Sequence, residues 1–136
     1  MEALVKFASM SDLPLVYLMH YDNSVPDFQA MGEIVHGLGP ASNYLFKWTP
    51  PADFVSTSPT MSPFIQLAHA HGMAVHPYTF QDDNLMYTSS AVDEVQLYIN
   101  AGIDGLFNEF PHSTYNLFTA FGTKANFPPQ SSLFLQ

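Results

Sequence analysis

Apolar segments alternate with polar turns along this chain in an order that is typical of parallel α/β folds. Residues 73–80 form a largely apolar segment of strand length, and the polar residues 81–84 follow it. Residues 91–101 have the apolar spacing of a helix, and residues 103–107 are again apolar. A strand, a helix and a second strand in this order predict a parallel βαβ unit. We expect the polar residues after each strand to meet at one rim of the sheet, where such folds carry their chemistry.

Local signals mark both ends of the predicted central helix. Ser90 precedes it as an N-cap, and Asp93 and Glu94 lie in its first turn, where the helix dipole favours negative charge. Gly102 follows the helix at a position that commonly takes a left-handed conformation.

The first strand of this unit has apolar side chains on both faces. Alternation places Val75, Pro77 and Thr79 on one face and Ala74, His76, Tyr78 and Phe80 on the other. We therefore expect the strand to be covered on both sides. Pro77 conflicts with this prediction, because proline cannot donate a hydrogen bond to a neighbouring strand.

The rest of the chain predicts shorter elements. Ser62 and Pro63 are typical of the N-cap and first position of a helix. The predicted elements are a strand over residues 13–20, a short helix over 28–35, a glycine and proline turn at 36–40, an extended or helical piece at 43–46, a loop over 48–63, and helices over 62–72 and 113–121. We predict one α/β domain over residues 1–122 and a loose C-terminal tail over 123–136.

Length and composition fit one modest domain. The chain has 136 residues, no Cys and 47% hydrophobic residues, which is enough to form a core. No apolar run approaches the roughly 20 residues that span a bilayer, so we expect no transmembrane segment. The first ten residues lack the pattern of a signal peptide, and the sequence leaves the compartment open.

The charge balance bears on possible partners. The net charge is −9, from three Lys, no Arg and twelve acidic residues. Because this charge repels polyanions, we expect no nucleic-acid partner. A phosphodiester site without guanidinium groups must neutralise its substrate with lysine, backbone amides or a metal ion.

Three motifs resemble those of a known family. They are Gly-Met-Ala-Val-His-Pro-Tyr-Thr-Phe at 72–80, the acidic pair at 82–83 and Ala-Gly-Ile-Asp-Gly-Leu-Phe-Asn-Glu-Phe-Pro at 101–111. Together they resemble the last two strand segments of glycerophosphodiester phosphodiesterases, and most closely the periplasmic bacterial type. His-Gly-Leu-Gly-Pro at 36–40 resembles a further element and extends the likeness over residues 13–118. A complete (β/α)8 barrel needs about 250 residues. The resemblance therefore implies the C-terminal half of a TIM barrel, with three to four parallel strands and their helices.

The family's chemistry would make this chain part of a phosphoric diester hydrolase of lipid and glycerol metabolism. Such enzymes use two histidines and a divalent metal ion, Ca²⁺ or Mg²⁺, held by carboxylates in His-Arg-Gly, Glu-x-Asp, His-Asp and Glu-x-Lys motifs. The present sequence contains no Arg and no His followed by Asp, so we assign it no catalytic residue and no metal ligand. The resemblance implies a substrate-pocket wall made of His76, Tyr78, Gln81, Asn108, Glu109 and Phe110. Gln81, Asn108 and Glu109 replace the basic residue, Thr and Asp that the family has there.

Other histidines and acidic residues have structural interpretations. His69 and His71 would point apart on a helix, so we do not predict a shared metal. Asp82, Asp83 and Asn84 resemble part of a calcium loop but lack its glycine and distal glutamate, which favours a turn. We expect structural roles for His20, His36 and His112.

Three functional hypotheses remain. The first is a glycerophosphodiester phosphodiesterase fragment that is inactive alone and takes its glycerophosphodiester substrate only when completed by an N-terminal half. The second is a non-catalytic half-barrel that binds a partner or a second copy through open sheet edges. The third, another phosphate-handling barrel, is disfavoured by the motifs at 72–80 and 101–111.

Overall fold

A computed structural model describes residues 2–20 and 26–120, with side chains through residue 116. The element order alternates short strands with helices. In chain order the elements are α1 (Glu2–Ala8), β1 (Val16–Leu18), α2 (Phe28–Gly32), β2 (Gly37–Gly39), α3 (Tyr44–Lys47), α4 (Pro63–Ala70), β3 (Ala74–Val75), α5 (Ala91–Ala101) and α6 (Pro111–Ala120). No helix within these ranges is long and apolar enough to cross a membrane.

The three strands form an open parallel sheet in the order β1-β2-β3. Leu38 lies at its centre, in register with Tyr17 on one side and Val75 on the other. Consecutive strands can pair in parallel only if the chain crosses over between them, and the intervening helices form these crossover connections. The predicted α/β class with parallel strands is confirmed, and the sheet is consistent with part of a TIM barrel.

Residues 103–109 run alongside the continuation of β3. Their backbone contacts include Asp104 N–H to Val75 O at 3.0 Å and Phe107 N–H to Pro77 O at 3.0 Å. Further along, a parallel bridge joins Phe80 to Asn108. The predicted strand over residues 103–107 is therefore present as a hydrogen-bonded extended segment, although it is not a regular strand.

The two faces of the sheet differ in their cover. Leu38, Val75 and Pro77 are fully buried on the face that packs against the helices. The opposite face, here called the inner face, carries Val16, Leu18, Gly37, Gly39, Ala74 and His76 by alternation and register. Leu18 on this face is 54% exposed. A Cβ at Gly39 would lie only 2.6 Å from Leu18 Cδ2, so a side chain there would displace the Leu18 side chain.

One aromatic cluster joins three helices to one another, and a second joins α5 to the sheet. Phe64 on α4 contacts Phe28, Tyr44 and Trp48, with ring centroids 5.3, 5.5 and 5.6 Å away. Tyr98 on α5 is fully buried. Its ring lies 4.9 Å from that of Phe46 and 4.7 Å from that of Phe80. These contacts connect α2, α3 and α4 in one cluster and join α5 to the end of the β3 segment in the other.

The predicted strand over residues 73–80 is longer than the observed one. Regular pairing covers only Ala74–Val75, and single contacts continue it at Tyr78 and Phe80. The predicted alternation fails after Tyr78, because Phe80 is buried against Tyr98 while Thr79 is exposed. Pro77, which has no N–H, lies where regular pairing stops.

The helix predictions are confirmed at most positions. Ser90 Oγ accepts a 3.1 Å hydrogen bond from Asp93 N–H, and Gly102 ends α5 with φ +100°. The helix predicted over residues 28–35 ends earlier, at Gly32, and α1 was not predicted. Ser62 precedes α4 as expected, but its hydroxyl donates to Leu45 O at 2.9 Å instead of capping the helix. The predicted tail over 123–136 lies outside the described residues.

Candidate functional site

A chain of side-chain hydrogen bonds crosses the rim at the carboxyl ends of the strands. Gln81 follows the β3 segment, and Glu109 follows the adjacent extended segment. Gln81 Nε2 donates to Glu109 Oε2 at 2.8 Å, and Asn84 Nδ2 donates to Gln81 Oε1 at 3.1 Å. Two residues of the predicted pocket wall, 28 positions apart in sequence, are therefore brought together.

Asn108 and Phe110 lie beside this row of hydrogen bonds. Their polar groups are bonded to each other and to the first turns of α6. Asn108 Oδ1 accepts from Phe110 N–H at 2.5 Å, and its Nδ2 donates to Thr114 Oγ1. Phe110 keeps 38% of its surface exposed. Of these two predicted wall residues, Asn108 has both polar ends engaged by α6, whereas Phe110 presents an aromatic surface to solvent.

The acidic loop is also fastened to α6. Asp82 Oδ2 accepts a hydrogen bond from Ser113 Oγ, which also donates to Phe110 O at 3.0 Å. A carboxylate near the first turn of a helix interacts favourably with its dipole. Asp82 and Asp83 lie in a turn, as predicted, and Asp82 is bound to α6 through Ser113.

His76 and Tyr78 lie further down the β3 segment than the rim residues. The Tyr78 hydroxyl donates to Met19 O at 2.5 Å, which reaches across β2 to the end of β1. The His76 imidazole packs against Gly105 and is partly buried. Burial lowers the pKa of His76, and the negative charge of Asp104 opposes part of that shift. His76 therefore favours its neutral form, which can both donate and accept a hydrogen bond.

Asp104 is an important residue that the sequence interpretation missed. Its Oδ2 accepts hydrogen bonds from His69 Nε2 at 2.7 Å and from Val75 N–H at 2.8 Å. The Asp104 side chain is only 4% exposed. The sequence signal that could have revealed it is the presence of a single acidic residue within the apolar stretch 103–107. His69, for which no metal shared with His71 was predicted, is the partner of this buried carboxylate.

Glu94 on α5 is a second buried carboxylate, and it anchors the loop between the β3 segment and α5. It accepts hydrogen bonds from Met86 N–H at 3.2 Å, Tyr87 N–H at 3.1 Å and Thr88 Oγ1 at 3.1 Å. Between this loop and the rim lies a shallow cleft with a cavity volume of only about 10 Å³. Gln81, Asn84 and Asn108 are among its lining residues. The rim residues thus border a small cleft of mixed polar and apolar lining, to which Glu94 also contributes.

Comparison with protein-family models supplies the assignment. The model of the glycerophosphoryl diester phosphodiesterase family matches residues 5–113, which is most of the chain. This chain belongs to that family. The resemblance predicted from the motifs at 72–80 and 101–111 is thereby confirmed at the level of the family.

Members of the glycerophosphoryl diester phosphodiesterase family generally use a divalent metal ion. Within residues 2–20 and 26–120, no three His, Asp or Glu side chains converge on a point where a cation could bind. Each of the four carboxylates described above accepts a hydrogen bond from a protein group: Asp82, Glu94, Asp104 and Glu109. The residues described here therefore do not fit the family's metal, and no step of chemistry is assigned to it on this chain.

His69 and His71 are also separated from each other, as their spacing predicts. His69 pairs with Asp104, whereas the His71 ring stacks near Phe28 with a centroid distance of 6.4 Å. The two histidines of the His-x-His sequence accordingly make two different contacts, a hydrogen bond at His69 and ring stacking at His71.

Proposed function

We propose that this chain forms the substrate-pocket wall of a glycerophosphodiester phosphodiesterase, which hydrolyses a glycerophosphodiester to an alcohol and glycerol 3-phosphate. Family membership over residues 5–113 is the observation that carries the proposal. The wall is the set predicted from the sequence: His76, Tyr78, Gln81, Asn108, Glu109 and Phe110. His76 and Tyr78 contact the substrate from the inner face of the sheet, and Gln81, Glu109 and Phe110 contact it from the rim.

The geometry of the rim supports polar contact with the hydroxyl groups of the substrate. Glu109 is exposed, and the hydrogen bond from Gln81 orients its carboxylate. A carboxylate accepts hydrogen bonds from hydroxyl groups and is not suited to bind a phosphate anion directly. We therefore assign Glu109 to the glycerol or alcohol part of the substrate.

The wall alone lacks groups that the reaction needs. Hydrolysis of a phosphodiester requires neutralisation of developing negative charge and protonation of the leaving oxygen. The two lysines of the described ranges, Lys6 and Lys47, lie on α1 and α3 and not among the wall residues. We propose that the catalytic histidines and the metal-binding carboxylates come from an N-terminal half outside this sequence. The present chain then corresponds to the C-terminal half of a periplasmic-type enzyme and is inactive alone.

The first experiment measures release of glycerol 3-phosphate from glycerophosphocholine. The purified 136-residue chain is assayed with and without Ca²⁺ or Mg²⁺, and then mixed with a separately expressed segment that carries His-Arg-Gly and Glu-x-Asp motifs. We expect metal-dependent release only from the mixture. Turnover by the chain alone would contradict the proposal that the catalytic groups lie in an N-terminal half. A fully assembled mixture without activity would contradict the proposed phosphodiesterase function.

A matched pair of variants tests the wall in the assembled enzyme. Loss of one hydrogen bond made by a charged group costs about 1.5–3 kcal/mol, or roughly tenfold to a hundredfold in kcat/KM. We expect a loss of this size from Glu109→Ala. Asp83→Ala removes an exposed carboxylate from the neighbouring loop and is expected to leave kcat/KM unchanged.

A second candidate is a non-catalytic half-barrel that binds a partner or a second copy through its sheet edges. The 54% exposure of Leu18 on the inner face favours it, because apolar groups on a sheet face are usually covered. Sedimentation of the purified chain tests for self-association. The transcript upstream of Met1 separates the two candidates, since in-frame His-Arg-Gly and Glu-x-Asp motifs support the enzyme.

A further inference from the structure

The imidazole of His76 lies directly over a residue that has no side chain. A Cβ placed on Gly105 would lie 2.9 Å from His76 Cδ2 and 3.0 Å from His76 Nε2. These distances are shorter than ordinary carbon contacts, so an alanine at residue 105 would force the imidazole to move. Gly105 does not have positive φ, in contrast to Gly72 and Gly102. A side chain at residue 105 would therefore be opposed by the His76 imidazole and not by the backbone conformation.

The neighbouring Asp104 fixes the backbone just before His76. Its N–H donates to Val75 O at 3.0 Å, and its carboxylate accepts from Val75 N–H at 2.8 Å. Both polar groups of the Val75 backbone are thus bound to one residue of the adjacent segment. His69 Nε2, at 2.7 Å from the same carboxylate oxygen, holds the Asp104 side chain in place.

We propose that Asp104 and Gly105 are positioning residues for His76. Asp104 sets the register of the β3 segment against the neighbouring segment, and Gly105 leaves the space that the imidazole occupies. The proposal rests on the function given above, in which His76 contacts the substrate. Asp104 and Gly105 do not belong to the predicted wall, and each affects the His76 imidazole in a different way.

The two residues act on the protonation of His76 in opposite directions. The pKa of His76 is lowered by burial and is raised in part by the negative charge of Asp104. Gly105→Ala displaces the imidazole towards solvent, which relieves burial and raises the pKa. Asp104→Asn removes the negative charge but keeps a side-chain oxygen as acceptor, which lowers the pKa further.

The experiment is an NMR titration of the His76 imidazole in the full 136-residue chain, with the signal assigned by its loss in His76→Asn. We expect a pKa below 6.5 in the unsubstituted chain, a higher value in Gly105→Ala and a lower value in Asp104→Asn. Asp83→Ala, which changes an exposed residue outside these contacts, is the control and is expected to leave the His76 pKa unchanged. An ordinary histidine pKa in the unsubstituted chain, or shifts of equal sign in the two variants, would overturn the proposal.

Stability measurements decide the Gly105 contact even if Asp104→Asn does not fold. Gly105→Ala is expected to lower the urea midpoint when His76 is present and to leave it unchanged in a His76→Ala background. Equal losses in both backgrounds would show that Gly105 does not make room for the imidazole, and the proposal would fail.

Glycerol 3-phosphate is the probe that separates this proposal from the proposed function. Its addition to the assembled mixture of this chain and the N-terminal segment is expected to shift the His76 signal of the unsubstituted chain and to shift it less with Gly105→Ala. If the pKa values change as expected but glycerol 3-phosphate has no effect on the assembled mixture, the positioning of His76 stands and its contact with the substrate is excluded.

Discussion

His69 Nε2 lies 2.7 Å from Asp104 Oδ2, although the two residues are 35 positions apart in the sequence. The contact joins the last turn of α4 to the extended segment that follows α5. The Asp104 side chain is almost completely buried, and its hydrogen bonds go to this partner and to Val75 N–H. One buried carboxylate thereby connects a helix, a strand and the segment beside that strand.

The first prediction concerns removal of this carboxylate. Asp104→Ala leaves the buried Val75 N–H without its acceptor, so we expect a loss of about 2–3 kcal/mol in the free energy of unfolding. His69→Ala should cost less, because Asp104 retains Val75 and the His69 side chain is 29% exposed. Urea unfolding measures both, with the exposed Asp83→Ala as control. Equal losses for Asp104→Ala and Asp83→Ala would show that the buried contacts contribute nothing.

The second prediction concerns the loop held by Glu94. Glu94→Ala removes the acceptor of Met86 N–H, Tyr87 N–H and Thr88 Oγ1. We expect at least a tenfold loss of hydrogen-exchange protection at the Met86 and Tyr87 amides, since about 1.4 kcal/mol corresponds to a factor of ten. Asp93→Ala, an exposed neighbour on the same helix, is the control. Unchanged protection in Glu94→Ala would mean that other contacts hold the loop.

Local signals in the sequence were sufficient to predict the central helix. Ser90 caps α5 through its own side chain, and Gly102 adopts the left-handed conformation that ends it. Each of these interactions spans only a few residues, so the sequence near the helix contains all the necessary information. The order of strand, helix and second segment follows from the same local patterns.

Long-range contacts explain where sequence prediction failed. Ser62 has the same local signal as Ser90, yet its hydroxyl bonds to Leu45 O, 17 residues earlier. Asp104 and His69 gave no local indication of their pairing. For the candidate site, the resemblance predicted a wall that includes Gln81 and Glu109, and the structure joins these two by a hydrogen bond. The resemblance did not indicate that Asn108 would be engaged by α6.

The third prediction tests the capping role of Ser90. Ser90→Ala removes the acceptor for Asp93 N–H and should lower the free energy of unfolding by about 1 kcal/mol. Ser90→Asn supplies another side-chain oxygen at the same position and should restore most of this loss. The comparison by urea unfolding isolates the cap, because both variants remove the same hydroxyl. If Ser90→Asn were as unstable as Ser90→Ala, the hydroxyl would have some role other than capping.

The fourth prediction is a pH dependence of stability that originates at His76. Burial keeps the pKa of His76 in the folded chain below the ordinary 6.5. As the pH falls below about 6.5, the unfolded chain binds a proton at this residue more readily than the folded chain, so acid favours unfolding. The stabilisation is therefore present above pH 6.5 and is lost as the pH falls through the folded-state pKa. His76→Asn cannot take up this proton and should show a smaller loss of stability between pH 7.5 and 5.5. Urea midpoints of the two proteins at both pH values provide the measurement. Parallel losses would place the acid sensitivity at other residues and would show that burial does not disfavour the imidazolium form of His76.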